Sequence, residues 1–379
     1  MKSNIIESFR SQFGGDPKWV VRAPGRVNLI GDHTDYNGGY VLPMAIERAV
    51  WIALRKRDGS QVRLYSLDFD DSFHFDAARL EKETVSWKEY VKAVAWVLQT
   101  NGLHLTGWEG VVAGNVPIGS GLSSSAAFEI AMARAFAVAN GSAWEPVKIA
   151  KLMQKAENDW IGVSSGIMDP FIIAVAQAGK AALIDCKNLD IQHVAIPPQA
   201  ALVIMNTMKR RGLVGSAYNQ RRQECDDAAK YFGVESLRDV DADELMHAKT
   251  KLPNNVFKRA RHVISENDRV ITMASCLEKD DLSASGKLMT ESHISLRDDY
   301  EVSCKELDLM VEIALSQSGC LGARMTGAGF GGCAVALVEG DAAAEFERQV
   351  STGYREKTGI QPEIIVSPPA DGVKLLEIT

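Results

Sequence analysis

The chain contains no Cys-x-x-Cys pair, and its six cysteines, Cys186, Cys225, Cys276, Cys304, Cys320 and Cys333, are widely scattered. That spacing argues against a redox dithiol or a zinc ribbon, and the thiols read as reduced packing residues of a reducing cytosol. No His/Cys cluster has zinc-ligand spacing. There is no Gly-x-Ser-x-Gly elbow for a serine nucleophile and no Gly-Lys-Ser/Thr of a Walker A loop. Positive charge is in deficit: 42 Lys and Arg face 49 Asp and Glu, a net charge of -7. A diffuse acidic balance speaks against nucleic acid or an anionic membrane as the main partner, though not against a phosphorylated ligand. Residues 1–19 lack a basic stretch followed by an apolar one, so no signal peptide is expected. The uncharged run from Gly110 to Phe128 is long enough to span a membrane. It is rich in Gly and Ser and holds Pro117, so it reads as a loop and a helix start. No internal repeat or low-complexity linker is present.

What is present is ample material for folded cores. Of 379 residues, 46% are hydrophobic and 24% charged, which fits a globular protein of two domains. Pro197-Pro198 and a shift to more helical, more charged sequence place a boundary there, giving domains 1–197 and 198–379. Stretches 20–42 and 51–75 look β-rich, and Trp87–Leu98 has helical spacing. Ser125–Ala139 is built of helix formers and stops at Asn140-Gly141. A further helix starts near Pro146 with the stripe Ile149, Leu152, Met153, Ala156, Trp160. Short apolar strands follow at 181–184 and 201–205. Helices are expected at 216–232, 255–267 and 283–318, then a strand at 333–338, a helix from Asp341 and a strand at 363–366.

Four segments carry chemistry. The first, Pro24 to Gly39, packs Arg26, Asp32, His33, Asp35 and Tyr36 among turn formers. Alternation of Val27 and Leu29 with Arg26 and Asn28 makes its start a short strand, and polar groups at a strand end suit a small polar ligand. The second, Gly119-Ser120-Gly121-Leu122-Ser123-Ser124-Ser125, precedes an Ala-rich helix. Glycines that turn N–H groups inward and a helix N-terminus together favour an anion; a capped helix after a flexible loop is the plain alternative. The third, Gly327-Ala328-Gly329-Phe330-Gly331-Gly332, matches G-x-G-x-x-G, but strand material follows it, so it is not a dinucleotide fingerprint. Its small residues instead permit close backbone approach. The fourth supplies carboxylates. Glu157 lies beside its helix's apolar stripe, facing a site or solvent. Asp169, between apolar neighbours and before Pro170, reads in isolation as the N-cap of a helix that starts at Pro170. Alone, His33 reads as structural.

Together these segments resemble the GHMP small-molecule kinases, and within them the galactokinase family. Arg26 to Asn37 resembles the galactokinase signature, Pro117 to Ala126 the superfamily's phosphate loop, and Met325 to Cys333 its third motif. The segments 166–169, 214–219 and 291–299 are also similar, so the resemblance covers essentially the whole chain. It implies an α+β fold of two domains with the active site in the cleft between them. It implies transfer of the γ-phosphoryl group of ATP, with Mg²⁺, to the C1 hydroxyl of D-galactose. Asp169 is then the base or electrostatic stabiliser, and Arg26 neutralises charge beside it. Ser125 and Glu157 hold Mg²⁺. The backbone of Gly119, Ser120, Gly121, Leu122, Ser123, Ser124 and Ser125 cradles the ATP phosphates. Asp32, His33, Asp35, Gly166 and Tyr218 hold the sugar hydroxyls.

Two residues depart from the family pattern: Asp32 where Glu is usual, and Pro170 where Gln is usual. The first alters the grip on the sugar's C6 side. Alternatives are a kinase of the same superfamily for a C2- or C6-modified hexose, and a non-catalytic sugar sensor. The intact Ser123-Ser124-Ser125-Ala126 argues against the sensor. A cytoplasmic monomer that binds only a small sugar and ATP is expected.

Overall fold

The computed structural model describes residues 1–209 and 214–378, without the side chains of residues 214–216, which belong to a segment singled out above. Numbered in chain order, the strands are β1 Trp19–Asn28, β2 Tyr40–Val41, β3 Pro43–Lys56, β4 Gln61–Ser66, β5 Asp71–Asp76, β6 Trp108–Gly114, β7 Lys180–Asp185, β8 Ile191–Ala195, β9 Ala200–Asn206, β10 Cys320–Met325, β11 Cys333–Glu339, β12 Glu363–Val366 and β13 Lys374–Glu377. The helices are α1 Lys2–Phe13, α2 Trp87–Thr100, α3 Ser124–Asn140, α4 Pro146–Lys155, α5 Met168–Val175, α6 Val214–Phe232, α7 Ala242–His247, α8 Asn254–Glu278, α9 Leu282–Asp298, α10 Lys305–Leu315 and α11 Ala343–Thr358.

Among the described residues the strands form three sheets: β13-β1-β3-β6-β4-β5, β10-β11-β9-β12 and β2-β7-β8. All pairs are antiparallel except β4 with β6. Helices α2 to α5 cover one face of the first sheet, and residues such as Ile52, Leu64, Phe136, Met153 and Phe171 fill that core. Helix α3 is buried nearly all round, which is why it is rich in alanine and other apolar residues, with Glu129 buried among them. Gly141, left-handed at φ 69°, ends it. Helices α10 and α11 pack on the second sheet through Met310, Phe346 and Tyr354. A separate cluster joins the two halves of the chain, with Val27, Leu29 and Ile30 of the first packed against Ile204, Val270 and Val335 of the second. Among the described residues no helix is long and apolar enough to cross a membrane. The run from Gly110 to Phe128 is β6, a loop and the start of α3.

Several expectations are corrected. The single helix expected over 283–318 is two, α9 and α10, interrupted at Asp299–Cys304. There Glu301 turns left-handed (φ 54°). The carbonyls of Tyr300 and Glu301 accept from Arg221, and that of Val302 from the Phe330 amide. Asp169 is not an N-cap: α5 begins a residue earlier, with Ile167 ahead of it, and the Asp169 carboxylate is turned to Arg26. Pro170 is buried in that first turn, where an amide has no helical partner to lose. Arg26 and Asn28 alternate with Val27 but do not face solvent, because both sides of β1's end are covered. Helices α1 and α7 and strands β10 and β13 carry no expectation from the sequence.

Candidate active site

One cleft of about 480 Å³ is lined by residues from all the chemistry-bearing segments. At its centre stand Arg26, at the inner end of β1, and Asp169, in the first turn of α5. Arg26 Nε donates to Asp169 Oδ1 and Nη2 to Oδ2, each at 2.7 Å. The third nitrogen, Nη1, donates to the Gly121 carbonyl, and the Arg26 amide donates to the Leu122 carbonyl at 3.1 Å. The arginine therefore ties the carboxylate to the glycine-serine loop. A planar guanidinium with donors in a fixed fork suits both tasks.

The glycine-serine loop ends at the N-terminus of α3. Gly119, Gly121, Ser123, Ser124 and Ser125 line the cleft. Ser120 and Leu122 do not offer their side chains to it. The Ser120 hydroxyl donates to the Pro117 carbonyl, and Leu122 is in the core that joins the halves. Ser125 Oγ donates to Glu157 Oε1 at 3.4 Å. Glu157 lies in a π-helical turn, Ala156–Ile161, continuous with α4. That turn carries Glu157 into the cleft while Ala156 and Trp160 stay in the core. Burial pushes the Glu157 carboxyl up, as does the nearby Asp169, while the Ser165 and Ser125 hydroxyls oppose it. The solvated reading of Glu157 is therefore discarded: it is 9% exposed. Among the described residues no three His, Cys, Asp or Glu side chains cluster closely enough to cage a metal ion. One hydroxyl beside one carboxylate, open to the cleft, fits instead a hard cation that keeps water and phosphate oxygens in its shell.

Opposite the loop lie Asp32, His33, Asp35, Gly166 and Tyr218. Asp35 sits in a short 3₁₀ turn against Gly166. A Cβ on Gly166 would lie 1.6 Å from Asp35 Oδ2, so no larger residue fits. Burial first, then the charge of Asp169, raise the Asp35 carboxyl to about 6. His33 is left-handed at φ 68°, with Nδ1 2.8 Å from the Tyr36 hydroxyl and the ring close to the Ala328 backbone. Burial, helped by His262, holds His33 well below the usual range, so the ring is neutral. The Tyr218 ring centroid is 5.6 Å from His33 and 5.4 Å from Tyr36.

Asp32 is only 2% exposed. Its Oδ1 accepts from the Gly327 amide at 3.0 Å, and its Oδ2 is 2.6 Å from Arg324 Nη2. The sequence reading missed this wholly buried arginine on β10. It also missed Glu266, which accepts from the Gly31 amide at 3.0 Å and from Ser292, and Tyr300, whose hydroxyl is 2.7 Å from that of Tyr36. None lies in a motif with an anion- or sugar-binding spacing. The one available signal was Arg324 itself, a charge among the uncharged residues 318–338 that lead into and out of the third glycine segment. The third glycine segment turns its backbone to neighbours, as its small residues allow: a Cβ on Gly329 would meet the Val302 carbonyl at 2.2 Å.

Comparison with known proteins shows the family. The galactokinase galactose-binding signature matches residues 7–56, the N-terminal domain of GHMP kinases residues 89–177, and their C-terminal domain residues 273–356. A galactokinase from Roseiflexus sp. (strain RS-1) is 45% identical over 97% of this chain and 96% of its own. One from Chloroflexus aurantiacus is 42% identical over 98% and 97%. The crystal structure of Lactococcus lactis galactokinase complexed with galactose superposes with a TM-score of 0.95 at 38% identity, covering 98% of this chain and 99% of that one. A mevalonate kinase structure, at 22% identity and a TM-score of 0.64, shares the fold alone. A bidentate Arg–Asp pair between a sugar-signature turn and a glycine-serine helix start, together with near full-length similarity, places this chain in the galactokinase family, within the GHMP kinases.

Proposed function

We propose that this enzyme phosphorylates D-galactose on the C1 hydroxyl, giving α-D-galactose 1-phosphate and ADP. The observation that carries the reading is the Arg26–Asp169 pair, set between the polar wall and the N-terminus of α3. The triphosphate lies on the α3 N-terminus, against backbone N–H groups of the Gly119–Ser125 loop and the positive end of the helix. Asp32, His33, Asp35 and Tyr218 receive the sugar hydroxyls, and Gly166 leaves room for Asp35. The C1 oxygen attacks the γ-phosphorus in line, the bond from that phosphorus to the β,γ-bridging oxygen breaks, and the hydroxyl proton passes to Asp169. Arg26 neutralises charge between acceptor and phosphate. Phosphoryl transfer asks for this kind of alignment and charge neutralisation more than for covalent help. Ser125 and Glu157 would hold Mg²⁺, which supplies charge neutralisation on the phosphates. We assign residues 1–197 to the N-terminal domain and 198–379 to the C-terminal one, with β13 returned to the first sheet. We also propose a monomer, and a cytoplasmic location, which fits the free thiols of Cys186, Cys225, Cys276, Cys304 and Cys320.

A second reading, a kinase for a C6-modified hexose, is favoured by Asp32, whose carboxylate is drawn toward Arg324 and Gly327. One assay separates the two: ADP release with a panel of hexoses, with the product's phosphate position read by NMR. Galactose is expected to be the best substrate, phosphorylated at C1. Phosphate at C6, or no sugar-dependent ADP release from folded protein, rejects the proposal. Asp169→Asn, nearly isosteric but without charge or basicity, is expected to lower kcat by about 10² or more with little change in galactose Kd. Near-normal kcat in that variant would remove Asp169 from the mechanism.

A further inference from the structure

We infer that the Ser123 side chain is a positioning residue for Asp169, and that any contact of this residue with ATP comes from its backbone. The inference rests on the proposed role of Asp169. A serine ahead of a long helix ordinarily has extended backbone and caps the helix, its oxygen accepting from an amide of the first turn, which stabilises the helix. Ser123 does neither. It stands ahead of the 17-residue α3 in the left-handed region (φ 58°, ψ 47°), and its side chain makes no capping bond. A forgone cap and a backbone conformation unfavourable for any residue with a Cβ fall on one residue. Its hydroxyl instead donates to Asp169 Oδ2.

A hydroxyl has one proton to give. While Ser123 gives it to Asp169, it has none for a phosphate oxygen. Of the other loop hydroxyls, that of Ser120 donates to the Pro117 carbonyl and that of Ser125 to Glu157, which leaves Ser124, in the cleft lining, as the hydroxyl placed to meet a phosphate. Asp169 thus has Oδ1 held by Arg26 Nε, and Oδ2 held by Arg26 Nη2 and by Ser123. Arg26 alone leaves the carboxylate free to rock about the axis of the pair. A second donor from another element removes that freedom. Because Ser123 belongs to the phosphate loop, the clamp keeps base and phosphates at one separation, and small errors in such a separation cost much rate.

The test is steady-state kinetics of the full chain with galactose, ATP and Mg²⁺, for Ser123→Ala, Ser123→Gly and Asp169→Asn. Alanine and glycine both remove the hydroxyl, but only glycine relieves the left-handed backbone. Both Ser123 variants are expected to lose about ten-fold or more in kcat, with KM for ATP within about three-fold of wild type. A larger rise in KM for ATP with kcat retained would make Ser123 a phosphate ligand and overturn the inference. So would a glycine variant of normal kcat beside a crippled alanine variant, since the backbone alone would then matter. Should Ser123→Ala not fold, Ser123→Gly decides. Normal kcat in both Ser123 variants with Asp169→Asn crippled overturns this inference alone; normal kcat in Asp169→Asn overturns the reading beneath it.

Discussion

Asp35 carries its charge against the grain of its surroundings. Buried beside Asp169, its carboxyl sits at about 6 rather than the ordinary 3.8. A group raised in this way favours the fold while protonated. That contribution is whole below about 3.8, is lost as pH climbs through about 6, and above that pH the charge opposes folding. Asp35→Asn, whose amide oxygen still accepts from the Met168 amide, is therefore expected to raise Tm relative to wild type at pH 7.5 and to lose that advantage at pH 4. A thermal-melt series across that range checks it. A sugar hydroxyl donating to the charged form makes galactose binding tighten with rising pH, by about five- to ten-fold between pH 5 and 7.5. Calorimetric titration without ATP reads this directly, and Asp35→Asn is expected to give a flat profile. Asp32 has the reverse difficulty, since its partners hold it back. Glutamate would reach roughly 1.3 to 1.5 Å further, one C–C step. With the sugar's C6 side toward Asp32, Asp32→Glu is expected to raise the kcat/KM ratio of galactose over 6-deoxygalactose. An unchanged ratio would mean that Asp32 does not read C6.

At the scale of elements, most of the cleft's composition was legible because each motif is contiguous and ends at a turn. The geometry that turns those motifs inward was less so. Helical spacing from Pro146 identified the buried stripe through Trp160, but no 3.6-residue pattern announces the π-turn that sends Glu157 into the cleft. Similarly, apolar positions run through 283–318 without a Gly or Pro at the break, and Tyr300 and Val302 leave the helix to meet Arg221 and the third glycine segment. Tertiary contacts overrode local propensity there. If Glu157, turned into the cleft by the π-turn, holds Mg²⁺ as proposed, Glu157→Ala is expected to raise the Mg²⁺ concentration for half-maximal activity by about ten-fold. Ser125→Ala shifts it in the same direction. A Mg²⁺ titration superimposable on wild type would return Glu157 to a purely structural role.

Over the whole molecule, the two halves are bolted by charge as well as by apolar packing. Arg324 of β10 faces Asp32 at 2.6 Å and Glu266 at 3.9 Å, all but sealed from solvent. Glu266, paired also with Arg269, is held down at about 2 despite burial. Removing one partner of such a pair strands the other. Arg324→Met is expected to cost about 3–5 kcal/mol in chemical denaturation. Arg324→Met with Asp32→Asn, which leaves fewer stranded charges, is expected to recover part of that loss. No recovery would show that the arginine's packing, not its charge, matters.

The return of β13 to pair with β1, Trp19 to Glu377 and Arg22 to Lys374, has a consequence for how the chain is made. The first sheet has all its other strands once β6 is translated, yet one edge of β1 stays unpaired until residues 374–377 leave the ribosome. At about 5–20 residues per second that edge is open for roughly ten to sixty seconds. In that interval an exposed row of amides and carbonyls is a template for a neighbouring nascent chain. Helix α1, already packed across this sheet through Ile5 and Phe9, covers its face but not that edge.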